Sequence, residues 1–262
     1  HRFRAVSSPR ACRTSFAPGE GIMTLLAVEG VTKTFGGLRA LDNVSLAVDK
    51  GSVVGLMGAN GAGKTTLFSL IAGNARPDSG NITFRNDAIT GNKPERICRM
   101  GIARTFQIVR PFRSLTVREN VMIGARFGQN AGGSRLTEVC RESIELAGLA
   151  TMADKPAADL TLSGQKRLEV ARALATGPDL LLLDEVMAGL TPAEVMSMLE
   201  TLASLRRNLG ITLLVIEHVM RALMDLSDSI VALHHGQVIA SGTPDEIGRD
   251  PAVRASYLGL ES

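Results

Sequence analysis

Residues 53–67 read Val-Val-Gly-Leu-Met-Gly-Ala-Asn-Gly-Ala-Gly-Lys-Thr-Thr-Leu: an apolar strand, a glycine loop and the opening of a helix. Gly58, Gly63, Lys64 and Thr65 satisfy the spacing G-x-x-x-x-G-K-[ST] without a gap. Three glycines let the backbone turn with its N–H groups pointing inward, so the loop can wrap an anion unobstructed by side chains. The helix from Lys64 adds a partial charge of roughly +0.5 at its N-terminus, aimed at the same anion. The spacing gives each residue from Gly58 through Ala59, Asn60, Gly61, Ala62 and Gly63 to Lys64, Thr65 and Thr66 a place around a triphosphate. Lys64 would reach the β- and γ-phosphates, and the Thr65 hydroxyl would ligate Mg²⁺. An ordinary glycine turn between strand and helix is the weaker explanation.

The rest of the chain narrows the setting. With 262 residues, 45 % hydrophobic and 21 % charged, it has the length and composition of a soluble globular protein. The longest apolar runs, 180–183 and 213–216, fall far short of the ~20 residues that span a bilayer. The net charge of +3 resides in residues 1–22, where Arg2, Arg4, Arg10 and Arg13 face only Glu20. The remaining chain holds 25 basic and 25 acidic residues and offers no broad phosphate-attracting face, so no nucleic-acid partner is expected. Residues 1–25 are expected to be a disordered N-terminal extension, with Met23 the natural start. Cys12, Cys98 and Cys140 lie far apart and outside any C-x-x-C, which fits a reducing cytoplasmic setting.

Along the chain, 28–34 and 41–48 read as antiparallel strands ahead of the glycine loop, and 81–85 as a further strand. From Lys93 to about Asp159 the pattern reads as helical, with helices over 93–100 and 136–147 and a capping box at Thr116-Val-Arg-Glu119. Residues 164–176 read as a helix by their apolar face. Leu180 to Leu183 then reads as a parallel strand buried on both faces. Thr191-Pro-Ala-Glu194 opens a helix that Gly210 closes. Residues 211–216 read as a second apolar strand, and 230–234 with 237–240 as a hairpin across Gly236. The fold class is α/β with a mainly parallel sheet, an N-terminal antiparallel β region and a helical subdomain inserted at about 93–176.

Leu180-Leu-Leu-Leu-Asp-Glu185 supplies what the loop lacks. Asp184, at the C-terminal end of a buried strand, can hold the same Mg²⁺ as Thr65. Glu185 can polarise a water in line with the γ-phosphate. His218 follows the strand over 211–216, where it could touch the γ-phosphate, and Gln107 follows Ile102-Ala-Arg-Thr-Phe106.

In order, Phe35, Gly58 to Thr66, Gln107, Leu160 to Gly164, Asp184-Glu185 and His218 resemble the adenine platform, Walker A loop, glutamine loop, signature, Walker B and histidine switch of ATP-binding cassette ATPases. The resemblance spans about 26–260 and implies a P-loop NTPase core, with the ATPase domain expected over 26–262. It is strongest to the ATP-binding subunits of branched-chain amino acid importers, carried by Arg104-Thr-Phe-Gln-Ile-Val-Arg-Pro-Phe, Leu115-Thr-Val-Arg-Glu-Asn-Val, Ile216-Glu-His-Val-Met and Ser241-Gly-Thr-Pro-Asp-Glu-Ile.

The resemblance implies that Phe35 stacks on adenine and that Glu185, His218 and Gln107 are catalytic. Thr65, Gln107 and Asp184 would serve the metal, and Thr161, Ser163 and Gly164 the nucleotide of a facing cassette. It implies ATP and Mg²⁺ as cofactors, and as partners a second cassette, membrane permease subunits and, indirectly, a periplasmic solute-binding protein. The place it implies is the cytoplasmic face of the membrane. Uptake of branched-chain amino acids is the leading expectation; urea, short amides or lipid-linked export are alternative cargoes, and a cytosolic non-transport role ranks below them.

The sequence departs from the family at the signature. Aligned without a gap, Leu160-Thr-Leu-Ser-Gly164 stands where L-S-G-G-Q is usual, with Ser163 at a glycine and Gly164 at the glutamine. A rival alignment takes Leu162-Ser-Gly-Gln165 as a shortened signature, but that deletion would turn the following helix by about 100°. Val186 replaces the usual proline after Asp-Glu, and Thr191 the usual inter-subunit aspartate. These changes lead to the expectation of a different partner cassette and two unequal ATP sites.

Overall fold

The structure, a computed structural model, describes residues 23–105, 111–128 and 135–258. Strands β1 (Thr24–Phe35) and β2 (Leu38–Asp49) form a long antiparallel pair, and β3 (Val53–Met57) then enters a different sheet. Helix α1 (Lys64–Ile71) follows the glycine loop. Strands β4 (Ser79–Phe84) and β5 (Asp87–Ala88) return to the first sheet, which has the order β2-β1-β4-β5. Next come α2 (Pro94–Met100), β6 (Ile102–Arg104), α3 (Val117–Phe127), α4 (Leu136–Leu146) and α5 (Leu162–Leu174). Strand β7 (Leu180–Asp184), helix α6 (Pro192–Leu209), strand β8 (Thr212–Ile216) and helix α7 (Met220–Leu226) resume the alternation. Strands β9 (Ser229–His234) and β10 (Gln237–Gly242), with helices α8 (Pro244–Arg249) and α9 (Pro251–Leu258), complete it.

The second sheet has the order β10-β9-β3-β8-β7-β6 and is parallel except for β10. Every position of β3, β7 and β8 is buried, as continuous apolar runs require when both faces are covered. Alternate residues serve opposite layers. Val54, Leu56, Leu182 and Leu214 pack with Phe68 and Ile71 of α1 and with the antiparallel sheet. Val53, Leu181, Leu183 and Val215 pack instead with Met198 and Leu202 of α6 and Leu223 of α7. A third cluster joins α3, α4 and α5 through Val121, Ile144, Leu168 and Ala171. Helix α5 belongs to two clusters, because Val170 and Leu174 face the sheet while Leu168 and Ala171 face the helices. Among the described residues no helix is long and apolar enough to cross a membrane.

Several boundaries differ from the sequence expectations. Strand β1 begins at Thr24 with Leu25 already buried, so the structure departs from an extension reaching residue 25. The expected helical insertion over 93–176 is interrupted by β6, whose three residues pair in parallel with β7. Three residues carry too little periodicity to be told from a helix segment, and neighbouring backbone decides. Helix α5 starts at Leu162, two residues before the expected 164, because Thr161 caps it. The boxes at Thr116 and Thr191 are both formed, and Gly210 ends α6 at φ 65°. The β9–β10 turn has positive φ at both His235 and Gly236, the geometry of a two-residue hairpin.

Candidate functional site

The glycine loop leaves β3 at the centre of the parallel sheet and delivers α1 from its left-handed cap Gly63, φ 104°. A Cβ at Gly63 would meet the Ala40 carbonyl oxygen at 2.6 Å, and one at Gly58 the Leu233 oxygen at 2.5 Å. The loop is thus squeezed between the β1–β2 hairpin and β9, where only glycine fits. Lys64 is 6 % exposed and folds back over the loop, its Nζ donating to the carbonyls of Gly58 at 2.6 Å and Ala59 at 3.0 Å. Burial pulls its pKa down, opposed by the nearby charges of Glu185 and Asp184.

The loop opens into a cleft of about 650 Å³ lined by Phe35, Asn60, Lys64, Thr65, Thr66, Glu185, His218 and His235. Residues 60–66, 185 and 218, carried by the parallel sheet, thus share one cleft with Phe35, which ends β1 of the antiparallel sheet. Phe35 stands at the rim, 51 % exposed, with the Lys33 ammonium 5.2 Å from its ring centroid. Gln107 lies outside the described residues.

Asp184 ends β7 with no exposed surface. Its Oδ2 accepts from Nη2 of Arg104 at 2.7 Å, while Oδ1 is buried with no hydrogen-bond partner. A buried carboxylate oxygen left open, close enough to Lys64 for its charge to act there, is a hard-oxygen donor of the kind that suits Mg²⁺. Among the described residues no group of three or more His, Cys, Asp or Glu could hold a metal ion.

Glu185 adopts φ 52°, a left-handed conformation uncommon for such a residue. Three contacts hold it there. Its N–H donates to the Ile216 oxygen at 2.9 Å, and its carbonyl accepts from Nζ of Lys166 at 2.8 Å. Nε2 of His218 lies 2.7 Å from Oε1 of Glu185. Below it, Glu217 is 3 % exposed and accepts from the Met187 N–H at 2.8 Å. Burial pushes its carboxyl up to about 7.

The signature segment sits elsewhere. Thr161 is the N-cap of α5, its hydroxyl accepting from the Gly164 N–H at 3.2 Å. Leu162 is 45 % exposed, and Gln165 folds back onto the Leu160 oxygen at 3.0 Å. Thr161, Ser163 and Gly164 do not line the cleft around the glycine loop.

Arg104, Lys166 and Glu217 were missed by sequence reasoning. Each left a faint signal: Arg104 and Glu217 are charges at the ends of apolar strand segments, and Lys166 is a charge on the buried side of a helix.

The ABC transporter family model matches residues 41–188, and that of the branched-chain amino acid ATP-binding cassette transporters matches 237–261. The high-affinity branched-chain amino acid transport ATP-binding protein LivG of Salmonella typhimurium is 41 % identical over 249 residues, covering 90 % of this chain and 98 % of LivG. The probable LivG of Archaeoglobus fulgidus is 35 % identical over 250 residues, 91 % of this chain and 97 % of its own. A crystal structure of the ADP conformation of an ABC transporter cassette superposes with TM-score 0.83 at 32 % identity, over 90 % of this chain and 99 % of that one. A dimeric post-hydrolysis cassette bound to ADP and Pi gives TM-score 0.75 at 25 % identity, covering 84 % and 99 %. This chain belongs to the ABC transporter family, among the ATP-binding cassettes related to the branched-chain amino acid transport ATP-binding proteins.

Proposed function

We propose that this chain binds and hydrolyses ATP to drive an importer of branched-chain or related amino acids, working at the cytoplasmic face of the membrane. The observation that carries this is the cleft itself: the glycine loop, Lys64, Glu185 and His218 converge on one cavity, with a base held ready at its wall. Phe35 offers an apolar face to adenine. The N–H groups of residues 58–66 and the start of α1 receive the phosphates, and Lys64 exchanges its loop carbonyls for phosphate oxygens. Thr65 and Asp184 would hold an Mg²⁺ ion, which would supply charge neutralisation to the bound phosphates. Glu185 accepts a proton from the attacking water, giving ADP and phosphate, and His218 fixes the carboxylate and senses the γ-phosphate. Gln107 is assigned to the metal and the γ-phosphate by the family motif alone.

The second cassette is proposed to be a different subunit. Thr161, Ser163 and Gly164 face its nucleotide, and their altered pattern makes the two ATP sites unequal. ATP binds the closed pair better than the open one and so shifts the population, and hydrolysis reverses the shift. The layer of α3, α4 and α5 passes this motion to membrane permease subunits, which receive cargo from a periplasmic solute-binding protein.

The test is reconstitution of the chain with its genomic permease, cassette and solute-binding partners in vesicles. Leucine, isoleucine or valine is expected to stimulate ATP hydrolysis and accumulate. Stimulation by urea or short amides alone would replace the cargo assignment, and ribosome co-purification without permeases would overturn the transport reading.

A further inference from the structure

The geometry points to Arg104 as a positioning residue that clamps the two proposed Mg²⁺ ligands, Thr65 and Asp184, into register. This rests on the ATP-site reading above and assigns a role to a side chain that the resemblance left without one. Arg104 ends β6, the edge strand beside β7, with its side chain 11 % exposed. Its guanidinium spans two elements. Nη2 donates to Oδ2 of Asp184 at 2.7 Å, and Nη1 donates to Oγ of Ser69 on α1 at 3.1 Å. The Ser69 hydroxyl in turn donates to the Thr65 carbonyl at 2.8 Å. A continuous path of hydrogen bonds therefore runs from the Walker B carboxylate to the backbone of the residue whose hydroxyl faces the metal.

The planar fork is itself fixed. It lies over the Phe68 ring, 5.7 Å from the centroid, and Phe68 is buried in the layer between α1 and the sheet. One oxygen of Asp184 is thereby occupied and the other left open, so the rotation of the carboxylate is set before any ion arrives. Partners of this kind orient ligands and tune metal affinity without touching the ion. Charge alone argues the opposite sign, since removing a cation from beside the site would favour a second cation. A variant that keeps the charge and loses the fork therefore separates orientation from charge.

The test uses Mn²⁺ as the probe, titrated by electron paramagnetic resonance into the full chain with ADP present. ADP affinity in chelator and melting temperature are measured alongside. Arg104→Lys keeps the charge and loses the fork; it is expected to weaken Mn²⁺ binding about 10-fold or more, with metal-free ADP affinity unchanged. Ser69→Ala, which cuts one arm, is expected to give a smaller loss in the same direction. Unchanged or tighter Mn²⁺ binding in folded Arg104→Lys overturns the inference, as does a lower melting temperature with metal affinity intact. Failure of the unmodified chain to take up Mn²⁺ with ADP would instead overturn the site reading, and the clamp with it. Should Arg104→Lys not fold, Ser69→Ala decides by the same criterion.

Discussion

The first turns of α1 and α5 are both assigned to nucleotide chemistry by the proposed function, yet they are finished differently. Helix α1 starts from Gly63 with no side-chain cap, so its leading N–H groups remain available. Helix α5 starts from Thr161, whose hydroxyl already accepts the Gly164 N–H. Helices α3, α6 and α8, which carry no nucleotide role, close their ends with complete boxes at Thr116, Thr191 and Thr243. An uncapped helix forgoes about 1 kcal/mol. Helices α2, α4 and α7 also start without a side-chain cap, so what sets α1 apart is the glycine loop ahead of its open start. Helix α5 stands between the two cases. Its cap already engages the Gly164 N–H, and under the proposed function the Thr161 hydroxyl has to turn toward the facing nucleotide. On the proposed reading, the half-site around the glycine loop keeps its motif intact, while the half-site offered to a partner is altered at Ser163 and Gly164.

The largest effect expected from this contrast belongs to Glu185. Glu185→Gln should leave ATP binding intact and lower turnover in the assembled transporter by about 10²- to 10⁴-fold, read by phosphate release and filter-bound ATP. Turnover at the unmodified rate would move the base elsewhere.

Next comes Glu217, buried beneath the same wall with its carboxyl raised to about 7. The unfolded chain releases this proton near the ordinary carboxylate value, so between there and about 7 only the folded state holds it. Stability is therefore fully present below that window and falls as pH rises through it, by on the order of 3 kcal/mol. Glu217→Gln should flatten this slope in denaturant titrations from pH 4.5 to 8; an unchanged slope would assign it to other groups.

The smallest effect sharpens the comparison most finely. Thr161→Ala and Thr191→Ala should each cost about 1 kcal/mol of stability, because each removes a cap. Only Thr161→Ala should also slow ATP turnover of the paired cassettes. Equal turnover for both variants would reduce Thr161 to a cap.

Much of this was legible because it is local. The glycine loop, the boxes at Thr116 and Thr191 and the apolar runs of β7 and β8 each fix their conformation within a few residues. Strand β6 was not legible, because a three-residue strand is made by its neighbour β7. Helices α7, α8 and α9 were not read from the sequence either: α7 and α9 carry no capping box, whereas α8 carries one at Thr243 but runs only from Pro244 to Arg249. Within the site, sequence order placed Asp184 and Glu185 but not what holds them. Arg104 lies 80 residues from Asp184 and Lys166 19 residues from Glu185, separations at which no spacing rule operates.

The central claim is that this chain supplies one complete half-site and one altered half-site. The direct measurement is steady-state ATP hydrolysis by the purified chain, alone and with its cognate cassette and permeases. The account requires low turnover alone and a marked rise on assembly. Full, cooperative turnover by the chain as a homodimer would contradict it.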